Sequence, residues 1–533
     1  MSYLKEEFTD FERAVLSRFF TDVDGPVFAL INLPETVKAA LFARYSRTSK
    51  SLRRLFIDEF YDESATFEAS DSTVGMKRSQ ELFERVILDY GDDSVAQLGG
   101  VHLACEQVSN SLTKVLERSR MMSYLEQSTR YLNFGKKRDD GRYGYKVPPE
   151  ILDSDLECRY RDTVDALFES YNDTYQRVFE HLSSRFGDNS DPAILRSLRA
   201  ASFDAVRGIL PVATLSNLGM FGSPQAFEYL VMRLRSHPLG EARQLAEMIN
   251  VELQKVIPSF LSRIDRPDRG VAWVDYRAQK HANLTAIVSA VVPEMETEHL
   301  EEATVRLIDF QSDAETRILE AILFEYTGMA HEACSSVVAR TSMREREELF
   351  RAYVGDRKNR RHRPGRAFEA ASYVFEIVSD YGAFRDLQRH RLMTIEWRGI
   401  DPVLGYVVPP LVASAGLSKE YARSLESILD LYDEISDRHS SDVAAYLVPM
   451  AYRIRYRVQV NARELMHITE LRTQPAGHES YRKVAQAMHR LIGNIAGHNL
   501  VSEAMSYVDY GDYDLGRLSD ERESELKQRQ TLR

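Results

Sequence analysis

The sequence predicts a helix-rich α/β protein that contains two copies of one domain. Only 26 Gly and 17 Pro interrupt its 533 residues, which favours long helices. Residues 452–460 (YRIRYRVQV) alternate polar and apolar side chains with the period of a β-strand. In addition, the segment GYKVPPEI from Gly144 reappears as LGYVVPPL from Leu404. We therefore expect one architecture to occur twice in the chain.

The predicted elements follow the same order in both halves. Helices are predicted through residues 1–60, over SQELFERVILDYG (79–91), and over the apolar positions of residues 105–116. In the second half, REREELFRAYVG from Arg344 echoes the second of these helices, and the apolar positions of residues 368–378 echo the third. Further helices are predicted for QAFEYLVMRLRSH and NARELMHITELR.

Repeats of this size indicate gene duplication rather than a solenoid, whose units are far shorter. The polar, proline-bearing segment at residues 262–270 (SRIDRPDRG) is the predicted connection between the copies. We accordingly place the first domain at residues 1–265 and the second at residues 271–533.

Composition limits the classes of protein to which the chain can belong. With 44% hydrophobic and 28% charged residues, it has the balance of a globular protein. The net charge of −12 argues against a general nucleic-acid binder. Residues 1–15 lack the pattern of a signal peptide, and no apolar run reaches the length of a membrane span. We expect a cytoplasmic protein with no membrane association.

Three cysteines are present, and none forms a CxxC pair. This spacing offers neither a disulfide framework nor a zinc site, and it fits a reducing compartment. We expect Cys105, Cys158 and Cys334 to behave as buried small hydrophobes.

The stretch at residues 116–131 (LERSRMMSYLEQSTRY) concentrates polar chemistry in an unusual way. Arg118, Arg120 and Arg130 accompany Glu126, with several short hydroxyl side chains, including Ser128, between them. A core helix would bury apolar side chains, whereas guanidiniums beside a carboxylate and hydroxyls are suited to an anionic ligand with polar edges. A charged helix followed by a turn is the alternative interpretation.

This stretch resembles the signature of the flavin-dependent thymidylate synthases, R-H-R-x-x-S-x-N-E-x-S-x-R-Y. Ser119 replaces the family's His, and Leu125 replaces its Asn. The matching positions are Arg118, Arg120, Ser123, Glu126, Ser128, Arg130 and Tyr131. The resemblance implies a tandem duplication of that family's fold, with a small antiparallel sheet flanked by helices in each half.

The second half retains complementary parts of the family's motifs. It has Arg389, His390 and Arg391, but the rest of that signature is lost. A second family region, Arg-x-x-Leu-Pro followed by Asn-Ala-Arg and a later Arg, divides in the same way. The first half keeps Arg207, Leu210 and Pro211, whereas the second has Ala445 in place of the first Arg but keeps Asn461, Arg463 and Arg472.

Carried over residue by residue, the resemblance implies a role for each match. The second half would bind the cofactor FAD through Arg389, His390, Arg391, Asn461 and Arg463. The first half would bind the substrate nucleotide through Arg118, Arg120, Glu126, Ser128, Arg130 and Arg207. Arg472 would be the catalytic residue, because a guanidinium beside a uracil carbonyl stabilises the charge that develops when the ring attacks.

The implied activity is reductive methylation of dUMP to dTMP, with methylenetetrahydrofolate and NADPH as co-substrates. Because the family works as a tetramer, two duplicated chains would form a homodimer that rebuilds it as a pseudo-tetramer. Two alternatives stay open: a non-catalytic paralogue that binds nucleotide or flavin, and a flavoenzyme acting on a different pyrimidine.

Other signals carry less weight. The chain has neither a Rossmann nor a P-loop glycine motif. The basic loop at residues 356–366 (DRKNRRHRPGR) fits a solvated loop, but it could also bind a flavin diphosphate, NADPH or RNA. His467, His478 and His489 recur at a near-helical interval, yet Pro475 and Gly477 interrupt that helix. We therefore predict no metal site.

Overall fold

The structure is a computed structural model that describes residues 5–33, 37–38, 41–42, 45, 48–61, 100–186, 191–292 and 303–531. The helix predicted over residues 79–91 lies outside these ranges, whereas its predicted echo is present as the helix Met343–Val354. No described helix is long and apolar enough to span a bilayer.

Two four-stranded antiparallel sheets have the same strand order. The first has the order β1-β2-β4-β3, with β1 to β4 at Val27–Ala29, Val101–Ser109, Met122–Glu126 and Leu215–Gly222. The second has the order β5-β6-β8-β7, with β5 to β8 at Thr304–Phe310, Ser372–Asp380, Met393–Trp397 and Arg453–Asn461. The predicted fold class, helix-rich α/β with a small antiparallel sheet in each half, is confirmed.

Strand β8 lies between β6 and β7 and shows the predicted alternation. Tyr456, Val458 and Val460 are buried, while the intervening Arg455 and Arg457 are exposed. One face of the strand therefore packs into the core, and the other presents charged side chains to solvent. The strand predicted from this alternation is confirmed.

The helices predicted over residues 105–116 and 368–378 are wrong in part. Residues up to Ser109 belong to β2, and only Asn110–Leu116 is helical. In the second half, residues 372–380 form β6, and the helix Tyr381–Leu387 follows it. Both strands are buried along most of their length, so their nearly continuous apolar runs also match helical spacing.

Packing divides the chain into two compact units that differ from the two sequence halves. Unit 1 comprises Met1–Asn172, Ile209–Thr297 and Glu426–Pro449. Unit 2 comprises Asp173–Gly208, Glu298–Leu425 and Met450–Arg533. Each unit thus holds one sheet together with a segment that belongs to the other half of the sequence. The domains at 1–265 and 271–533 describe the repeat, and their boundary stays a prediction.

Two helices of unit 1 begin where a serine ends a strand or directly follows one. Ser109 Oγ accepts a hydrogen bond from the Leu112 N–H at 3.0 Å, and Ser223 Oγ accepts one from the Ala226 N–H at 3.3 Å. The prediction of helices through residues 1–60 is wrong at β1. The helices of unit 1 whose bounds the structure describes are Asp10–Leu16, Leu52–Leu55, Asn110–Leu116, Pro224–Arg235, Gly240–Gln254, Pro258–Leu261, Ala272–Val291, Leu429–Arg438 and Ser441–Ala444.

Unit 2 repeats this arrangement with Asp380 and Asn461 as the caps. Their side chains accept hydrogen bonds from the Ala383 and Glu464 N–H groups, both at 2.9 Å. The helix Glu157–Phe186 contributes to both units. The other helices of unit 2 are Pro192–Val206, Ala314–Thr327, His331–Arg340, Met343–Val354, Tyr381–Leu387, Pro410–Ser414, Ser418–Glu426, Ala462–Arg472, Glu479–Asn494, Asn499–Ala504 and Leu518–Thr531.

All three cysteines carry free thiols. Cys105 and Cys334 are buried as predicted, and burial raises the pKa of the Cys105 thiol. The prediction is wrong for Cys158, which is exposed in the first turn of the helix Glu157–Phe186.

Candidate functional site

The first-half signature forms a turn, the strand β3 and the loop that follows. The backbone around Arg118 and Arg120 forms a turn rather than a helix, and both side chains are exposed. In the loop, Ser128 Oγ accepts a hydrogen bond from the Arg130 N–H at 3.2 Å, and both side chains are half-buried. The structure therefore gathers the predicted nucleotide-binding residues, apart from Arg207, in unit 1. Their contacts with substrate stay a prediction.

Glu126 is fully buried at the end of β3 and already has partners. One carboxylate oxygen accepts a hydrogen bond from Thr113 Oγ1 at 2.9 Å, and the other pairs with Lys114 Nζ at 3.0 Å. Lys114 also pairs with Glu117, so one buried ammonium lies between two buried carboxylates. This cluster fixes the end of β3 to the preceding helix.

In the second half, the segment at residues 389–391 alternates between solvent and core. Arg389 and Arg391 are exposed, whereas His390 between them is buried. The segment connects the helix Tyr381–Leu387 to β7. Successive side chains in this short connection point to opposite sides, which leaves two guanidiniums on the surface and an imidazole inside.

Unit 2 also brings together two arginines from opposite halves of the sequence. Arg207 Nη1 and Arg472 Nη1 each lie 3.7 Å from an oxygen of Asp386. The Arg207 side chain is only 5% exposed, and within the described residues its Nη2 has no hydrogen-bond partner. Gly382 gives it room, since a Cβ there would lie 3.1 Å from Nη2. A buried guanidinium nitrogen without a partner indicates a place for an anion or a carbonyl oxygen.

A hydrogen-bonded chain orients Arg472. Its Nε donates to His390 Nε2 at 3.0 Å, and His390 Nδ1 lies 3.0 Å from Glu464 Oε1. His467 Nδ1 contacts the same carboxylate oxygen at 3.1 Å. Because an arginine Nε can only donate, His390 Nε2 accepts, and the ring proton therefore lies on Nδ1 and is donated to Glu464.

The charges in this chain follow from burial and hydrogen bonding. Burial lowers the pKa of His390 to about 4, so the ring is neutral at pH 7. Burial alone would raise the pKa of Glu464, but hydrogen bonds from His390 and His467 bring it down to about 2. A neutral imidazole thus connects a carboxylate to the Arg472 guanidinium.

His390, Glu464 and His467 also have the composition of a metal site, and their ligand atoms lie within 4.8 Å of one another. A metal on His390 Nδ1 would move the ring proton to Nε2, where it would face the N–H of Arg472. The hydrogen bonds therefore favour a positioning chain over metal ligation, and the absence of a metal site stays a prediction.

We expect His390 to make the protein less stable in mild acid. Its native pKa of about 4 lies below the ordinary histidine pKa of 6.5, so the unfolded chain binds the extra proton first as the pH falls. Stability should decrease from pH 6.5 toward pH 4, by up to about 1.4 kcal/mol per pH unit.

Denaturant unfolding at pH 7 and pH 5 should therefore show a smaller difference for His390→Asn than for the unaltered protein. Glu464, with its pKa of about 2, does not titrate in this window. Burial also lowers the pKa of His237 to about 4, so the pH dependence of stability in His237→Asn should be reduced in the same way. An unchanged pH dependence in His390→Asn would mean that the native protein does not lower the pKa of His390.

The remaining predicted cofactor residues have structural contacts. Asn461 caps the helix Ala462–Arg472 with its side-chain oxygen. Arg463 Nε donates to the Pro364 carbonyl at 3.0 Å, which places the basic loop beside it. Within that loop, Arg357 is buried against Glu470, whereas Arg361 is exposed. The loop is thus anchored at its start and presents guanidiniums farther along.

The polar core of unit 2, formed by Arg207, Asp386, His390 and Arg472, is absent from the corresponding described positions of unit 1. The correspondence follows from the repeated elements, because Asn110–Leu116 matches Tyr381–Leu387, and Pro224–Arg235 matches Ala462–Arg472 from their caps onward. The replacements are uncharged: Val115 for Asp386, Ser119 for His390, Leu234 for Arg472 and Ala445 for Arg207. Among the described residues, the core therefore occurs in unit 2 alone.

Sequence reasoning missed Asp386 and Glu464, which contact the predicted residues, and it considered His467 only as a possible metal ligand. Glu464 and His467 stand three residues apart on one helix, a spacing that places their side chains on the same face. That spacing was a usable signal. Asp386 offered none, because it lies far along the chain from both arginines it contacts.

Comparison with known proteins places these features in a family. A UPF0159 protein of Chlamydia muridarum is 37% identical over 97% of this chain and 98% of its own length. A flavin-dependent thymidylate synthase of Mycobacterium marinum is 30% identical over 33% of this chain and 67% of its own length. The crystal structure of a UMP/dUMP methylase, PolB from Streptomyces cacaoi bound with 5-Br dUMP, has 19% identity and a TM-score of 0.33, covering 39% of this chain and 97% of that one.

The family itself is matched twice along the sequence, once in each half. The matched regions are residues 34–259 and 306–496, which together make up most of the chain. This agrees with the repeated sheets and with the full-length likeness to a UPF0159 protein of Thermoplasma acidophilum, which is 31% identical over 92% of this chain and 99% of its own. The chain is a duplicated member of the thymidylate synthase complementing protein (Thy1) family.

Proposed function

We propose that the protein is a flavin-dependent enzyme that methylates a uracil nucleotide, converting dUMP to dTMP with methylenetetrahydrofolate and NADPH. One observation carries the proposal: Arg207 and Arg472 converge on Asp386, and Arg207 Nη2 is buried without a partner among the described residues. A nucleotide monophosphate offers the two kinds of acceptor that such a pair requires, phosphate oxygens and a ring carbonyl.

Each residue of the core has a distinct task in this proposal. Arg207 binds the phosphate, with which its planar fork makes charge-assisted hydrogen bonds. Arg472, oriented by His390 and Asp386, stabilises negative charge on a uracil carbonyl oxygen. Because His390 is neutral, it orients Arg472 without adding a second positive charge.

The donor set of unit 2 also fits a flavin dinucleotide. Arg389, Arg391 and Arg463 would bind the diphosphate, and the exposed guanidiniums of the basic loop lie next to Arg463. When bound, the flavin would supply the hydride and carry the one-carbon unit. Arg118, Arg120, Glu126, Ser128 and Arg130 are retained as proposed nucleotide contacts. A homodimer is the assembly that this proposal expects.

A second candidate function is a non-catalytic nucleotide- or flavin-binding paralogue. Two features of unit 1 favour it. The Glu126 carboxylate is already paired with Lys114, and uncharged residues occupy the positions of the unit 2 polar core. A flavoenzyme acting on another pyrimidine would use the same contacts, and product analysis separates it from the favoured function.

The visible spectrum of the purified protein tests the proposal. We expect the absorption of bound oxidised flavin, and we expect it to bleach when NADPH is added in the presence of dUMP. Formation of dTMP with methylenetetrahydrofolate would then identify the reaction. A flavin band that never bleaches would favour the paralogue. A colourless protein that gains no band when FAD is added would contradict a flavin enzyme altogether.

A further inference from the structure

Unit 1 contains a group of arginines that the proposed function does not use as a set. Arg233 lies near the end of the helix Pro224–Arg235, and its Nη2 donates to the carbonyls of Val115 and Leu116 at 3.1 and 3.4 Å. Those carbonyls end the helix just before Arg118. Arg277 approaches from the helix Ala272–Val291, where its Nε lies 3.3 Å from Ser236 Oγ. The guanidiniums of Arg118, Arg233 and Arg277, which come from three separate elements, therefore lie near one another.

The electrostatics of this group indicate a missing anion. Burial lowers the pKa of Arg233 to about 10, and repulsion from Arg118 and Arg277 adds to this effect. Partial burial of the guanidinium, followed by repulsion from Arg118, lowers the pKa of Arg277 as well. Among the described residues, neither Arg233 nor Arg277 forms an ion pair with a carboxylate, and Arg233 Nε is buried without a hydrogen-bond partner. Like charges held together at this cost are typical of a binding site for a polyanion.

Aromatic side chains lie beside the guanidiniums. The Arg277 guanidinium is 4.8 Å from the ring centroid of Trp273, and that ring is 6.3 Å from the ring of Tyr229. Tyr229 is 45% exposed, and Trp273 is partly exposed. A flat ring could stack on this pair while an attached phosphate reached the arginines, as in many nucleotide sites.

The repeat suggests how the group arose. Tyr229 occupies the position of His467 in unit 2, and Arg233 immediately precedes Leu234, which replaces Arg472. Trp273 and Arg277 belong to the segment that connects the halves. Unit 1 has therefore lost the core found in unit 2 and carries a different set of cations on the corresponding helix.

We propose that Arg118, Arg233 and Arg277, with Trp273 and Tyr229, form a second ligand site in unit 1 for an aromatic base that carries a diphosphate. The diphosphate matches three guanidiniums, and the base matches the aromatic pair. A free nucleoside diphosphate and the ADP half of a dinucleotide both have this chemistry. Arg118 is also one of the proposed nucleotide contacts, whereas Arg233, Arg277, Trp273 and Tyr229 have no role in the proposed methylation.

Titration with ADP, FAD and inorganic pyrophosphate tests the site in the full-length protein. The chain has two tryptophans, so Trp397→Phe leaves Trp273 as the sole indole reporter. We expect ADP or FAD to quench this fluorescence, and the tighter of the two identifies the source of the ligand. Pyrophosphate should bind more weakly and quench little, because it has no ring.

The variants Arg233→Gln and Arg277→Gln should each weaken ADP binding by roughly ten-fold or more in calorimetry. Arg277 is exposed, so its variant should fold even if the loss of Arg233 proves disruptive. Arg235→Gln is the matched control, since Arg235 lies on the same helix but pairs with Glu247 and Asp265. Equal ADP affinity in all these variants would overturn the proposal, as would ADP binding that is lost only in Arg463→Gln, a variant of the proposed flavin site in unit 2.

Discussion

Replacing Arg207 with glutamine should weaken dUMP binding by roughly ten- to a hundred-fold and leave the affinity for deoxyuridine unchanged. The side chain is 5% exposed, and its Nη2 has no partner among the described residues. A phosphate bound there would receive charge-assisted hydrogen bonds in a partly desolvated setting, worth about 1.5–3 kcal/mol. Deoxyuridine has no phosphate and would not lose this contact.

Calorimetric titration of both ligands measures the difference directly. The fold should tolerate Arg207→Gln, because Asp386 keeps its contact with Arg472. Arg517→Gln is a suitable control in the same unit, since Arg517 is a largely buried arginine paired with Asp204 at 2.9 Å. It should leave both affinities unaltered. Equal losses of affinity for nucleotide and nucleoside would mean that Arg207 contacts the ring rather than the phosphate. No loss for either ligand would mean that Arg207 does not contact the ligand.

Arg207 also marks the limit of what the sequence could predict. The motif at residues 207–211 identified it as a site residue, and Arg472 was identified separately. The sequence assigned Arg207 to the nucleotide side of the first half, together with Arg130. In the structure it belongs to unit 2, because packing groups residues 173–208 with the second sheet. The packing of a first-half segment in the unit of the second sheet depends on tertiary contacts, and hydrophobic periodicity does not encode these contacts.

The strands show a second limit. The alternation of β8 was readable because one of its faces meets solvent. Strands β2 and β6 are buried along most of their length, and their apolar runs imitate helical spacing. The order of the repeated motifs correctly predicted that these two segments correspond to each other, but it did not identify them as strands.

Glu126 shows a third limit, because a carboxylate in a motif can bind a ligand or hold the fold. Its partner Lys114 stands twelve residues earlier, on a helix where a lysine would ordinarily face solvent. The buried pairing appears only once β3 packs beside that helix. The motif singled out Glu126 as a site residue, but its buried pairing with Lys114 could not be read from the signature.

Lys114→Met should lower the free energy of unfolding by about 3–5 kcal/mol. Methionine has a similar length, so little packing is lost. The change would leave Glu117 and Glu126 buried together without their shared cation, because both carboxylates are almost inaccessible to solvent. They would then take up a proton or admit water, and either response costs stability.

Denaturant unfolding, followed through the transition of unit 1, measures this effect. Lys50→Met is the matched control, because Lys50 pairs with Asp58 at 2.9 Å but is 42% exposed, and its loss should cost less than about 1 kcal/mol. Adding Glu117→Gln and Glu126→Gln to Lys114→Met removes the two buried negative charges and should recover much of the loss. If Lys114→Met instead costs no more than Lys50→Met, Glu126 does not depend on Lys114, and its carboxylate is available to the substrate as the family signature implies.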